Sequence, residues 1–243
     1  MKFPSPESSQ FKSTQWSVIL RVAESGDEAA AEALDQMCRT YWYPLYAYVR
    51  RRGLTPDDAL DVTQGFFAQL LASSGIRDVH PEKGRFRAFL LASIKNYLRN
   101  HWRQQQTQRR GGGTRTISIQ DEEFEKRYQG RLAIEDDPER QFERDWVEEL
   151  LNRVLSGLRH DYQVAGREEL YRVLYPFLTA DEKRLPLASL AEQLGLSLSA
   201  TKMSIHRIRK EYAERVRHEV AATLDNPDDV EGELSKMISL VRR

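Results

Sequence analysis

A single cysteine, Cys38, stands in 243 residues, which excludes an internal disulfide. Such sparse use fits a reducing compartment, and within AEALDQMCRTYW Cys38 reads as a small core residue. Long apolar runs are missing too: nothing approaches the roughly 20 residues needed to cross a bilayer. The opening MKFPSPESSQFKS has no apolar stretch of the signal-peptide kind. These absences set the expectation of a cytoplasmic protein with no membrane partner. Net charge is absent as well, since 37 Lys and Arg balance 37 Asp and Glu. A chain of zero net charge is poorly suited to coating nucleic acid indiscriminately. Strand signals are nearly absent. So are catalytic signatures: there is no GxxxxGK[ST] phosphate loop, no HExxH, no GxSxG and no paired CxxC. The histidines, His80, His101, His160, His206 and His218, are scattered without ligand spacing. The expectation is therefore no metal, no cofactor and no enzymatic chemistry.

What is present is helical periodicity in a composition that is 40% hydrophobic and 30% charged, as expected of a folded soluble chain. Trp16, Ile19, Leu20 and Ala23 suggest a first helix that ends at Ser25 and Gly26. Asp27 can cap the next, with Ala30, Leu34, Met37 and Cys38 inward. Trp42, Leu45, Tyr46 and Val49 follow at helical spacing, and Gly53 closes that stretch. Thr55-Pro56-Asp57-Asp58 is a helix start, with a cap, a proline at the first helical position and carboxylates at the positive dipole end. That helix should run to about Leu71, and another from about Arg85 to Gln105. Gly111 to Gly113, amid polar residues, read as part of a linker.

The expected fold class is all-α, two small helical domains joined by a flexible linker, the second a helix-turn-helix. The boundaries are residues 1–105, a linker over 106–142 with transient helix in its acidic half, a second domain over 143–220, and a tail over 221–243. Trp146, Leu150, Leu151, Val154 and Leu158 open the second domain. Leu234, Met237, Ile238 and Val241 give the tail one amphipathic segment, which could dock on either domain or on neither.

Within the second domain, LASLAEQLGLS and then TKMSIHRIRKEYAERVR read as helix, tight turn, helix. Leu190, Ala191 and Leu194 face inward, Gly195 makes the turn, and Ser197 or Ser199 caps the second helix. Ile205, Ile208, Tyr212 and Val216 recur on its buried side. Lys202, His206, Arg207, Arg209 and Lys210 are left outside, the placement that suits a DNA major groove. The plainer reading is an amphipathic hairpin with a solvated charged face.

Charge is segregated along the chain. Between Arg77 and Arg115 cations dominate; between Asp121 and Glu149 carboxylates do. Inside the basic stretch, KGRFRAFLLASIKNYLRNHWRQQ interleaves cations with aromatics. Arg85, Phe86, Arg87, Lys95, Arg99, Asn100, Trp102 and Arg103 are the candidates for nucleic acid. Cations neutralise phosphates and aromatic faces accept unstacked bases, at about 1–3 kcal/mol per base. That mixture suits a single or locally opened strand better than duplex. Phe89, Ile94 and Leu98 read as the core stripe of the same helix.

The order of these parts resembles a known family. PLYAYVRRRG, the D-x-x-Q pattern of Asp61 and Gln64, KGRFRAFLL and the closing helix-turn-helix look like the two modules of bacterial RNA polymerase sigma factors. The compact layout resembles the extracytoplasmic-function group. The resemblance covers roughly residues 36–105 and 145–217. It implies that core RNA polymerase and promoter DNA are the partners. Leu60, Asp61 and Gln64 would dock on the clamp helices of the largest polymerase subunit. KGRFRAFLL and the helix after it would open the minus-ten element and capture a flipped base. The helix from Ala200 to about Tyr212 would read the minus-thirty-five element as duplex. An anti-sigma factor and a serine/threonine kinase are further partners that the family admits.

The chain departs from the family pattern at two positions. Gly65 stands where relatives often carry an acidic residue, which would weaken docking on a basic clamp surface. Thr63 replaces a common aliphatic and admits two readings. A phosphate there would restore the lost negative charge. Helical phase instead places Thr63 among Ala59, Phe66 and Leu70, where it would bond its own helix. The rival to a sigma factor is a free-standing helix-turn-helix transcriptional regulator, which would have no need of polymerase.

Overall fold

The computed structural model describes residues 28–72, 85–107, 119–130, 137–179, 186–224 and 226–241. Among them there is no strand, and the expected all-α class holds. The helices are α1 (Glu28–Arg51), α2 (Pro56–Ala72), α3 (Phe86–Thr107), α4 (Ile119–Gln129), α5 (Pro138–Val164), α6 (Glu168–Leu174), α7 (Leu187–Leu194), α8 (Leu198–Ala221) and α9 (Val230–Val241). Short 3-10 turns, Tyr175–Phe177 and Pro227–Asp229, precede α7 and α9. The helix expected around Trp16 lies outside the described residues. So does the glycine run at 111–113.

Contacts divide the chain into two units: residues 1–146 with 221–243, and residues 147–220. The division falls inside α5, close to the 142/143 boundary expected from the sequence, and the tail, which the sequence left open to dock on either domain or on neither, groups with the first unit.

The first unit is organised around α1. From Thr40 to Val49 nearly every side chain of this helix is buried, and a helix apolar on all sides has to be enclosed. Its aromatics reach each neighbour in turn. Tyr41 meets Phe86 of α3 edge-on at 5.4 Å. Trp42 stacks on Phe67 of α2 at 5.2 Å. Tyr43 and Tyr46 lie against Phe124 of α4. Tyr48 takes Phe142 of α5 edge-on at 6.4 Å. Such ring pairs contribute about 0.5–1.5 kcal/mol each beyond the area they bury. Gly53, at φ 90°, ends α1, and Thr55 caps α2: its Oγ1 accepts from Asp58 N–H at 3.2 Å and donates to Asp58 Oδ2 at 2.8 Å.

The acidic half of the expected linker is helix α4, packed on α1. Glu125 accepts hydrogen bonds from Tyr46 Oη at 2.6 Å and from Arg50 Nε and Nη2 at 2.9 and 2.8 Å. Arg127 lies over the Tyr43 ring at 3.7 Å, and Arg50 over buried Tyr128 at 4.8 Å. Arg51 reaches fully buried Asp145 of α5 at 2.7 Å. Two of the three consecutive arginines of PLYAYVRRRG are thus spent on internal partners.

The second unit encloses Leu158, Tyr171, Val173, Leu174, Leu190, Ile205 and Ile208. Gly166, at φ 67°, lets the chain turn out of α5, where Arg167 N–H bonds Tyr162 O at 2.7 Å. Tyr171 Oη donates to Leu155 O at 3.0 Å, and Tyr162 Oη to Glu211 at 2.9 Å. These bonds tie α5, α6 and α8 together around the core.

Candidate nucleic-acid interface

In the second unit the turn between α7 and α8 follows from backbone chemistry. Gly195 is left-handed at φ 62°, ψ 30°, a conformation in which a side chain is strained. Leu196 N–H then reaches Ala191 O at 2.9 Å, closing α7 in a Schellman arrangement. Ser197, of the two candidates, is the cap: its Oγ accepts from Ala200 N–H at 3.2 Å. Thr201, Ile205, Ile208 and Val216 are buried, which fixes the rotation of α8. Lys202, His206, Arg207, Arg209 and Lys210 are consequently exposed, as their spacing predicted. Arg209 differs from the others, because its Nε donates to Phe177 O at 3.0 Å and braces the turn before α7. Lys202, Met203, His206, Arg207 and Lys210 form a continuous outward face, with Met203 56% exposed at its centre.

In the first unit, α3 buries Phe86, Leu90, Ile94 and Leu98 at helical spacing. The opposite face exposes Ala88, Ala92, Asn96, Arg99, Asn100 and Arg103. Small residues thus lead into a patch of amides and guanidiniums. Trp102 and Phe89 are half-buried at its margins. On α2, Asp61 and Gln64 are exposed beside half-buried Leu60, on the flank that also exposes Asp57 and Asp58.

Three candidates for nucleic acid are placed otherwise than their chemistry suggested. Phe86 is 1% exposed and belongs to the core against Tyr41; the phase set by Leu90 and Ile94 carries it inward. Arg87 is 3% exposed, stacked on the Trp146 ring at 4.3 Å and paired with Glu233 of α9. Lys95 is half-buried and pairs with Glu139 at the start of α5. Arg85, more than a third exposed, lies 2.6 Å from Glu233 Oε2. Lys83, at the head of the motif, falls outside the described residues.

Thr63 is fully buried and its hydroxyl donates to Ala59 O at 2.7 Å, the bond to its own helix expected of the second reading. A kinase would find no accessible oxygen there. Gly65 has a packing reason that sequence reasoning missed. A Cβ on it would run into the Tyr97 hydroxyl of α3, whose ring is edge-on to Phe66 at 5.9 Å. Burial pushes the Tyr97 phenol above its ordinary value. The glycine therefore makes room for α3.

Glu233 and Trp146 were also missed as partners of the KGRFR motif. The tail's buried side is Glu233, Met237 and Leu240, while Ile238 and Val241 are about half exposed. The expected apolar face was therefore wrong in rotation. A glutamate four residues before Met237 was the available signal. Among the described residues no cluster of His, Cys, Asp and Glu could hold a metal, and no helix is long and apolar enough to cross a membrane.

Residues 38–108 match the family model for Sigma-70 region 2, a span that takes in most of α1, all of α2 and all of α3. No curated protein and no solved structure matches the chain. Over that span the chain is similar to region 2 of sigma-70 factors, which supports a factor of that family.

Proposed function

From the sigma-70 region 2 in the first unit, we propose that the chain is a promoter-specificity subunit of bacterial RNA polymerase, of the extracytoplasmic-function type. It performs no covalent chemistry. Asp61 and Gln64, with Leu60, dock α2 on the clamp helices of the largest subunit. Asn96, Arg99, Asn100 and Arg103, with Trp102 at the edge, take the opened strand of the minus-ten element. Cations hold its backbone while the indole offers a stacking face for an unpaired base. Lys202, His206, Arg207 and Lys210 of α8 read the minus-thirty-five element as duplex, with the exposed N-terminal turns of the helix entering the groove. These roles are divided between two helical units, residues 1–146 with 221–243 and residues 147–220.

The observation that carries this reading is the region 2 match over α1 to α3, whose outward face on α3 is polar and cationic. The test is direct: full-length protein is mixed with core polymerase and scored for complex formation and for transcripts from a promoter library. A sigma factor binds core and starts transcription; a free-standing regulator footprints its operator without polymerase and starts none. Asp61→Ala with Gln64→Ala should cut core binding by tenfold or more while leaving duplex binding by α8 intact. Arg207→Ala should do the reverse, weakening duplex binding by about 1–3 kcal/mol. Core binding unchanged in the double variant would refute the docking assignment.

A further inference from the structure

Helix α9 carries a carboxylate where an apolar residue would be expected. Glu233, Met237 and Leu240 form its buried side, and Glu233 is 0% exposed. A carboxylate withdrawn from water is costly unless cations answer it. Two do so here, both from the KGRFR motif. Arg87 Nη2 bonds Glu233 Oε1, and Arg85 Nη2 lies 2.6 Å from Oε2, an ion contact without hydrogen-bond alignment. Around them, Lys236 Nζ reaches Glu143 at 2.8 Å and Arg144 Nε donates to Leu240 O at 2.8 Å.

Two features set this cluster apart from a finished structural ion pair. Its donors are incompletely answered: Arg87 Nε and Nη1 and Trp146 Nε1 are buried without hydrogen-bond partners. Two guanidiniums, those of Arg85 and Arg87, also converge on the single carboxylate of Glu233. A pair of guanidiniums on two anionic oxygens is equally the arrangement that holds a phosphodiester. Arg85 adjoins the first turn of α3, the helix whose exposed face is proposed above for the opened strand.

We propose that α9 is an intramolecular competitor for nucleic-acid backbone. Glu233 sits on the Arg85–Arg87 pair in place of a phosphate, and a strand gains these cations only when α9 gives way. The proposal rests on the assignment of α3 to DNA. A factor held mostly in the latched form binds more weakly by the fraction of time the latch is open. Anything that draws α9 off the first unit would then raise DNA affinity without touching the DNA face itself.

The experiment uses the full-length chain and a fluorescently labelled single-stranded oligonucleotide of mixed sequence, read by anisotropy. Glu233→Gln keeps the shape and removes the charge, and should tighten binding about tenfold for a latch closed about nine-tenths of the time. Adding Arg85→Ala should cancel that gain. Glu231→Gln, an exposed neighbour on the same helix, should leave binding unchanged. In the wild-type chain, hydrogen exchange over residues 230–241 should quicken when oligonucleotide is added, a readout that needs no substitution. Binding unchanged or weakened by Glu233→Gln overturns the latch, as does a gain that survives Arg85→Ala. Unaltered exchange in a chain that has bound oligonucleotide overturns it as well. Core-polymerase binding separates the two claims. A complex with no Glu233→Gln gain sinks the latch alone; a gain with no complex sinks the sigma reading and leaves the latch.

Discussion

Helices α3 and α8 are both basic and amphipathic, and their sequences suggest the same use, yet their cations meet different fates. On α8, Lys202, Arg207 and Lys210 lie at the surface; the nearest carboxylate to Lys210, that of Glu214, is 3.7 Å away and itself exposed. An exposed pair of that kind is worth about 0–1 kcal/mol and leaves the cation available to a ligand. Just before α3 and along its N-terminal half, Arg85, Arg87 and Lys95 are each engaged by a carboxylate from α5 or α9. Only Arg99 and Arg103, further along, remain on the exposed face. The lesson is that the number of cations along a helix fixes its potential, while the residues packed on it decide which cations a ligand can reach.

The contrast is broken most severely at Trp146, the floor beneath Arg87. Trp146→Ala should cost about 3–5 kcal/mol of unfolding free energy, because it empties a fully buried site and strands a buried guanidinium. Met203→Ala, at the centre of the α8 face, should stay within about 0.5 kcal/mol. Urea unfolding of both variants checks the pair, and equal losses would mean that the two helices are alike after all.

A smaller effect is expected where α2 meets α3. Gly65→Ala should cost about 1–3 kcal/mol through its clash with the Tyr97 hydroxyl, and Tyr97→Phe should return most of it by removing that oxygen. A double-mutant cycle by thermal unfolding reads the coupling. Additive losses would show that the hydroxyl is not what the glycine accommodates.

The mildest effect concerns pH and separates α4 from the rest of the first unit. Burial works to raise the Glu125 carboxyl, but hydrogen bonds from Arg50, Tyr46 and Gln129 outweigh it and hold the group below its ordinary 4.5. Burial, and then the bond to Glu125, hold the Tyr46 phenol above its ordinary 10.0. A lowered carboxyl stabilises the fold above its unfolded value and loses that contribution as pH falls through the folded one. A raised phenol stabilises below its unfolded value and loses that contribution as pH climbs past 10.0. Docking of α4 on α1 should therefore weaken at both ends, seen in near-ultraviolet tyrosine dichroism, with a plateau between. Glu125→Gln should remove the acid arm, and survival of that arm would assign it to another carboxylate.

Much of this was legible in the sequence where a rule is local. The Thr55 cap, the Gly195 turn, the Ser197 cap and the rotation of α8 all depend on residues within one helical turn of each other. The same holds for Thr63, whose phase on α2 pointed inward and whose hydroxyl bonds four residues back. What escaped were partners distant in sequence. Arg87 and Glu233 are 146 positions apart, and Tyr46 and Glu125 are 79 apart. No period or cap connects such residues. The acidic segment read as linker had too little apolar content to suggest a docked helix; α4 is held through Phe124, Tyr128 and ion pairs instead. Phe86 and Arg87 were assigned by chemical type, and phase overruled type.

The grouping of α9 with residues 1–146 has a consequence for synthesis. A ribosome delivers α9 only after the whole of residues 147–220 has emerged. Until then Met237 and Leu240 have yet to cover their side of the first unit, and Arg87 waits without its carboxylate. The earlier-made unit is thus the later one to close, and a nascent chain passes through an interval in which its basic motif is uncovered.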